Sequence, residues 1–187
     1  MALFTLLEII HIAITVAVVS YIFSGLSKNY QTDPFQRYSR FFDWEDFKFT
    51  MIIASPGIIL HELAHKFIGV GFGLQATYQV WPTGLVIGVL LKLFGSGFIL
   101  LAPGYVLISG ANALQSSLTA FAGPATNLML WVGATYLLKH MKNISHKKAV
   151  GLSLLQGINK WLFIFNMIPL PPLDGFKVFA PLITAFF

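Results

Sequence analysis

The chain has 187 residues, of which 10% are charged and 56% hydrophobic, and its mean hydropathy is +0.75. Soluble domains carry about 25% charged residues, so this composition excludes an ordinary soluble fold, whose surface needs more charge. The net charge of +5 comes from scattered lysines and arginines and is not read as a nucleic-acid surface, and the absence of cysteine excludes disulfides and thiolate metal sites.

A membrane span needs roughly 20 mostly apolar residues. Residues 2–26 form the first candidate; they lack a basic start and outrun the apolar core of a signal peptide, so this helix is expected to be retained. Residues 28–48 hold four bases, four acids and Pro34, as a polar and interfacial loop does. A second span, 49–70, contains His61, Glu62, His65 and Lys66. Residues 72–110 are apolar but broken repeatedly, by Gly84, Gly95, Gly97 and Pro103 among others. One more span, a helical hairpin or re-entrant β-like strands all fit that segment. The uncharged stretch 112–138 is a third span, 139–148 a basic loop, and 149–170 a fourth span running into Pro169, Pro171 and Pro172.

The two basic loops share one side only if 72–110 crosses the membrane an even number of times. Lys and Arg favour the cytoplasmic face, so a re-entrant segment or hairpin is preferred, with the N-terminus outside. The expected fold class is an all-α polytopic membrane protein, a helical bundle of about 4–6 transmembrane helices with a re-entrant or β-like segment after the second span. Residues 1–48 are expected to be an N-terminal helix with its polar loop, and 49–187 the membrane core.

The strongest chemical signal is His61-Glu62-Leu63-Ala64-His65, which reads H-E-x-x-H. Residues four apart share a helix face, so both imidazoles can bind one Zn²⁺, with Glu62 beside them as a base toward water. Ionisable residues inside a span are costly and functional by default. A catalytic zinc usually takes three protein ligands. An extended form of the motif would place Gly and His where Ile68 and Gly71 stand, so that form is excluded. No glutamate follows Glu62, and His140 and His146 belong to the basic loop. Asp174, the one acid after Glu62, remains as the third ligand.

These residues, together with Asn166-Met167-Ile168-Pro169-Leu170-Pro171-Pro172-Leu173-Asp174-Gly175, resemble the site-2 protease family of intramembrane zinc metalloproteases. That family pairs H-E-x-x-H on one core helix with an N-x-x-P-x-x-x-L-D-G-like motif on another. A third family feature, G-P-x-x-N, stands at Gly123-Pro124-Ala125-Thr126-Asn127. The three motifs fall in the expected order between about residues 56 and 177, and Pro103-Gly104 resembles a compact archaeal branch. Many relatives include a PDZ or regulatory domain, for which this length leaves no room.

The resemblance implies one zinc ion held by His61, His65 and Asp174, with Glu62 as general acid–base. Asn166 either donates to the developing oxyanion or braces the Pro-rich bend. Gly123, Pro124 and Asn127 are expected to pack the core or line the substrate groove. Asn159 and Lys160 suit a cavity lining or a helix–helix hydrogen bond equally. Glu8 and His11, three apart, could form a second polar site, though an interfacial position or one interhelical hydrogen bond fits better. Expected partners are the lipid bilayer and a membrane-anchored protein substrate with a transmembrane helix, without nucleic acid. The expected location is the cell membrane of a prokaryote, as a multi-pass protein. The alternative function is a non-catalytic metal-binding membrane protein, a transporter or chaperone, which would need no base at Glu62.

Overall fold

The computed structural model describes residues 3–25, 42–94 and 103–186. Most of the expected polar loop, with Pro34, lies outside the described residues, as do Gly95 and Gly97.

Helix α1 (Leu6–Phe23) starts on a capping box. Thr5 Oγ1 accepts from the Glu8 backbone N–H at 3.2 Å, and Glu8 Oε2 accepts from that of Thr5 at 2.9 Å. Helices α2 (Trp44–Ile53), capped by Asp43, and α3 (Ser55–Gly71) follow one another with a single-residue break at Ala54. The expected span 49–70 is thus in two pieces, because Pro56 has no N–H with which to continue the helical ladder. Past α3, Gly73 takes a φ of +75°, which glycine adopts without strain, and the Leu74 N–H returns to the Gly69 carbonyl at 3.0 Å.

The chain then enters β1 (Gln75–Val80), which pairs antiparallel with β2 (Gly104–Ser109), from Gln75 opposite Ser109 to Val80 opposite Gly104. Between them α4 (Pro82–Leu93) packs on α1. Its Lys92 ammonium donates to the Tyr21 carbonyl and, at 2.9 Å, to that of Ser24, at the end of α1 where carbonyls lack helical partners. Segment 72–110 therefore contains a strand, a short helix and a strand. The 12 residues of α4 rise only about 18 Å, less than the roughly 30 Å of a bilayer core.

Helix α5 (Ala113–His140), capped by Asn112, continues through Pro124 and packs against α3, α6 (His146–Asn166) and α7 (Asp174–Phe186). The mostly helical fold keeps a small apolar core of Val19, Ile22, Phe23, Ala54 and Ile58. Around it the usual arrangement is reversed. Glu8, His61, Glu62, His65, Lys66 and Asn127 are buried, while Leu6, Leu7, Ile9, Val86, Met129 and Val132 are exposed. Among the described residues, two helical stretches, Leu6–Phe23 and Trp44–Gly71, are long and apolar enough to cross a membrane.

Glu8 proves to be the centre of a buried tie rather than half of a site with His11. Its Oε1 accepts from the Lys66 ammonium and, at 2.8 Å, from the Tyr78 N–H, while Lys66 also donates to the Ala76 carbonyl at 2.8 Å. The Thr15 and Tyr78 hydroxyls meet at 2.7 Å. These bonds fasten α1 to α3 and β1. Removing one partner of a buried ion pair strands the other charge, at a cost of about 3–5 kcal/mol. Glu8→Ala is therefore expected to lower the unfolding free energy by about that amount, and Glu8→Gln with Lys66→Met to recover most of it. Denaturant unfolding in detergent checks both.

Candidate metal centre

Helix α3 sets His61 and His65 one turn apart, their rings 4.7 Å between centroids and nearly perpendicular at 88°. Asp174, the first residue of α7, reaches them because the chain doubles back after α6. The Leu173 N–H bonds the Leu170 carbonyl at 2.9 Å, and a Cβ on Gly175 would stand 2.5 Å from the Ile168 carbonyl oxygen. Only glycine permits this close return. Asp174 Oδ2 then lies 3.0 Å from His61 Nε2 and 3.2 Å from His65 Nε2, with the two nitrogens 3.1 Å apart.

Both rings use Nδ1 elsewhere. His65 Nδ1 donates to the Thr119 carbonyl at 2.7 Å and His61 Nδ1 to Asn127 Oδ1 at 2.6 Å. Neutral rings held this way turn both Nε2 lone pairs toward a carboxylate oxygen. Three electron-rich atoms in that arrangement repel one another, and a divalent cation relieves the repulsion. The donor set fits zinc. Tetrahedral zinc with ligands at about 2.0–2.1 Å spaces them about 3.3 Å apart, close to the observed 3.0–3.2 Å. Helix α5 adds clearance, since a Cβ on Gly123 would strike His65 Nε2 and come within 2.6 Å of His61 Nε2. Among the described residues, His61, His65 and Asp174 are the group of three able to hold a metal ion.

A cavity of about 470 Å³ opens beside the triad. Glu62, 9% exposed, lines it with Asn166, Lys177, Trp81 and residues 104–108 of β2. Asn166 Nδ2 donates one hydrogen to the Leu162 carbonyl at 3.0 Å, which braces the end of α6, and the residue also borders the cavity. Gly123, Pro124 and Asn127 do not line the cavity; all three are buried, Gly123 against the two Nε2 atoms and Asn127, at 0% exposure, against His61 Nδ1. Asn159 settles as a helix–helix hydrogen-bond partner, accepting from Asn127 Nδ2 at 2.9 Å. Thr119 was not legible as a site residue because it acts through its main-chain carbonyl, which any residue type supplies.

Proteins named as putative zinc metalloproteases resemble this chain. MJ0611 of Methanocaldococcus jannaschii is 33% identical over 174 residues, which are 91% of this chain and 82% of that protein. YwhC of Bacillus subtilis is 29% identical over 143 residues, 66% of this chain and 64% of the relative. Rip2 of Mycolicibacterium smegmatis is 29% identical over 155 residues, 71% of this chain and 57% of the relative. No family model and no solved structure matches the chain.

Proposed function

The chain is a zinc metalloprotease belonging to the site-2 protease family, and from that membership we propose that it is an intramembrane endopeptidase. Its substrates in this reading are membrane-anchored proteins, cut within or near their transmembrane segments, as in regulated intramembrane proteolysis. The observation that carries the reading is the position of the metal-binding triad's histidines, buried in a helical stretch, Trp44–Gly71, apolar enough to cross a membrane.

The reversed distribution of polar and apolar residues supports a multi-pass membrane protein, since lipid accepts Leu and Ile outside while buried polar groups bond one another. Segment 72–110 suits a re-entrant unit, because Val80 and Gly104 are paired and the chain returns to the level it left. The exposed Lys139, Lys142, Lys147 and Lys148, at the end of α5, in the connection and at the start of α6, suit a cytoplasmic face. The cell membrane of a prokaryote is the corresponding location.

In this reading His61, His65 and Asp174 hold zinc, which supplies Lewis acidity toward a carbonyl and toward water when bound. A Glu62 carboxylate oxygen accepts the proton of the attacking water and then delivers it to the nitrogen of the leaving amine as the C–N bond breaks. Asn166 lines the same cavity, and its second amide hydrogen is the donor assigned to the developing oxyanion. A transmembrane helix keeps its backbone bonded internally, so the substrate must unwind, which Gly, Pro or Asn near the scissile bond facilitates. Strand β2 is paired along one edge by β1 and lines the cavity, so its other edge receives the unwound segment as an added strand.

Purified protein in liposomes should cleave a tagged single-span substrate, stop when zinc is chelated, and resume when zinc is returned. Intact cleavage after verified zinc removal would refute the reading. N-methylating one substrate amide that pairs with β2 removes a backbone hydrogen bond of about 1.4 kcal/mol and should slow cleavage about tenfold. An unchanged rate at every methylated position would exclude strand addition.

A further inference from the structure

The two imidazoles are oriented by partners of different kinds. His65 Nδ1 faces the Thr119 main-chain carbonyl at 2.7 Å, and a carbonyl only accepts, so that nitrogen carries the proton and Nε2 the lone pair. Side-chain substitution leaves that partner in place. His61 depends instead on the side chain of Asn127, whose amide could in principle present either end.

The polarity of that amide is set by partners on α3 and α6. Asn127 Nδ2 lies 2.9 Å from the Gly57 carbonyl and 2.9 Å from Asn159 Oδ1. Asn159 is itself fixed by its Nδ2, 2.8 Å from the Leu155 carbonyl. Turning either amide over would set oxygen against a carbonyl that can only accept. Two main-chain carbonyls, of Gly57 on α3 and Leu155 on α6, thus force Asn127 to offer oxygen to His61. Both asparagines are 0% exposed. Gly57 also makes room for the chain, since a Cβ there would come within 2.8 Å of Asn159 Oδ1.

We propose that Asn127 and Asn159 form a positioning relay that locks the tautomer and ring orientation of His61, so that α6 governs metal affinity through α5. Neither asparagine borders the cavity, so the relay acts on the metal and not on substrate. The inference rests on His61 being a zinc ligand. Partners of this outer kind typically change metal affinity by about 10–100-fold.

The test is the zinc dissociation constant of detergent-solubilised protein, measured by chelator competition, with the cobalt(II) absorption band as a second readout. Asn127→Leu is expected to weaken zinc binding about 10–100-fold. Asn159→Leu and Gly57→Ala, acting one link further out, should each weaken it about tenfold and shift the cobalt band in the same sense. Asn159→Asp should bind within about threefold of the parent, because a neutral carboxyl still accepts from Asn127 and donates to Leu155. Parental affinity in Asn127→Leu and Asn159→Leu overturns the relay. So does an Asn159→Asp variant as weak as Asn159→Leu, which would make filling of the site, and not bond direction, the cause. His61→Ala separates the two readings: if it binds zinc as the parent does, the ligand assignment itself fails, whereas weak binding in His61→Ala alone removes only the relay.

Discussion

Glu62→Gln is expected to bind zinc as the parent does and to cleave about 10²–10⁴-fold more slowly. The substitution keeps the shape of the side chain and removes its basicity. Glu62 neighbours His61 in sequence and borders the cavity, yet is not among the three groups whose atoms converge. Metal loading therefore does not need it, and proton transfer between water and the leaving amine does. Zinc content by elemental analysis, with turnover of a single-span substrate, separates the two effects. Parental turnover in Glu62→Gln would remove the assigned base. A transporter or chaperone using the same triad would be indifferent to this change, so the variant also decides between protease and carrier.

Asp174→Ala is expected to lose both zinc and cleavage. Two imidazoles on one helix turn remain, and a structural or catalytic zinc site usually requires at least three protein ligands. The loss should exceed that of any variant in the outer hydrogen-bond chain, because a direct donor 3.0 Å from His61 Nε2 and 3.2 Å from His65 Nε2 is removed. Asp174→Glu is a sharper probe. The longer side chain keeps the charge but moves the oxygen, and the Gly175 turn, tight against Ile168, leaves little freedom to compensate. Partial zinc occupancy with strongly reduced cleavage is expected. Full occupancy and activity in Asp174→Ala would show that the third ligand lies elsewhere.

The candidate ligands stand out in the sequence because only two carboxylates, Glu62 and Asp174, follow residue 46. Helix α5 was legible too, as an uncharged run behind Asn112, a residue whose side chain caps helices well. What sequence could not resolve were contacts between residues far apart in the chain. Asn127 meets His61 from 66 positions away, and Lys66 meets Glu8 from 58. Neither pairing leaves a periodic trace. Segment 72–110 stayed open because short apolar runs divided by Gly and Pro suit strand and helix alike; it contains both. Apolarity alone carries the fourth span to 170, whereas α6 ends at Asn166. Apolarity continues past that point, but Pro169 and the close return to Gly175 turn the chain.

The position of Asp174 at the start of α7 has a mechanical consequence. Without cysteine the chain has no covalent crosslink. Anchoring His61 and Asp174 to one ion closes a loop of about 100 residues, and a crosslink of that span is worth about 4–5 kcal/mol in the chain-entropy view. The ion is then a clasp as well as a reagent. In its absence α7 is fastened by packing on α5 and by the Ser117 hydroxyl on the Val178 carbonyl at 2.8 Å. Loss of the ion would thus loosen the hold on α7 as well as silence the site.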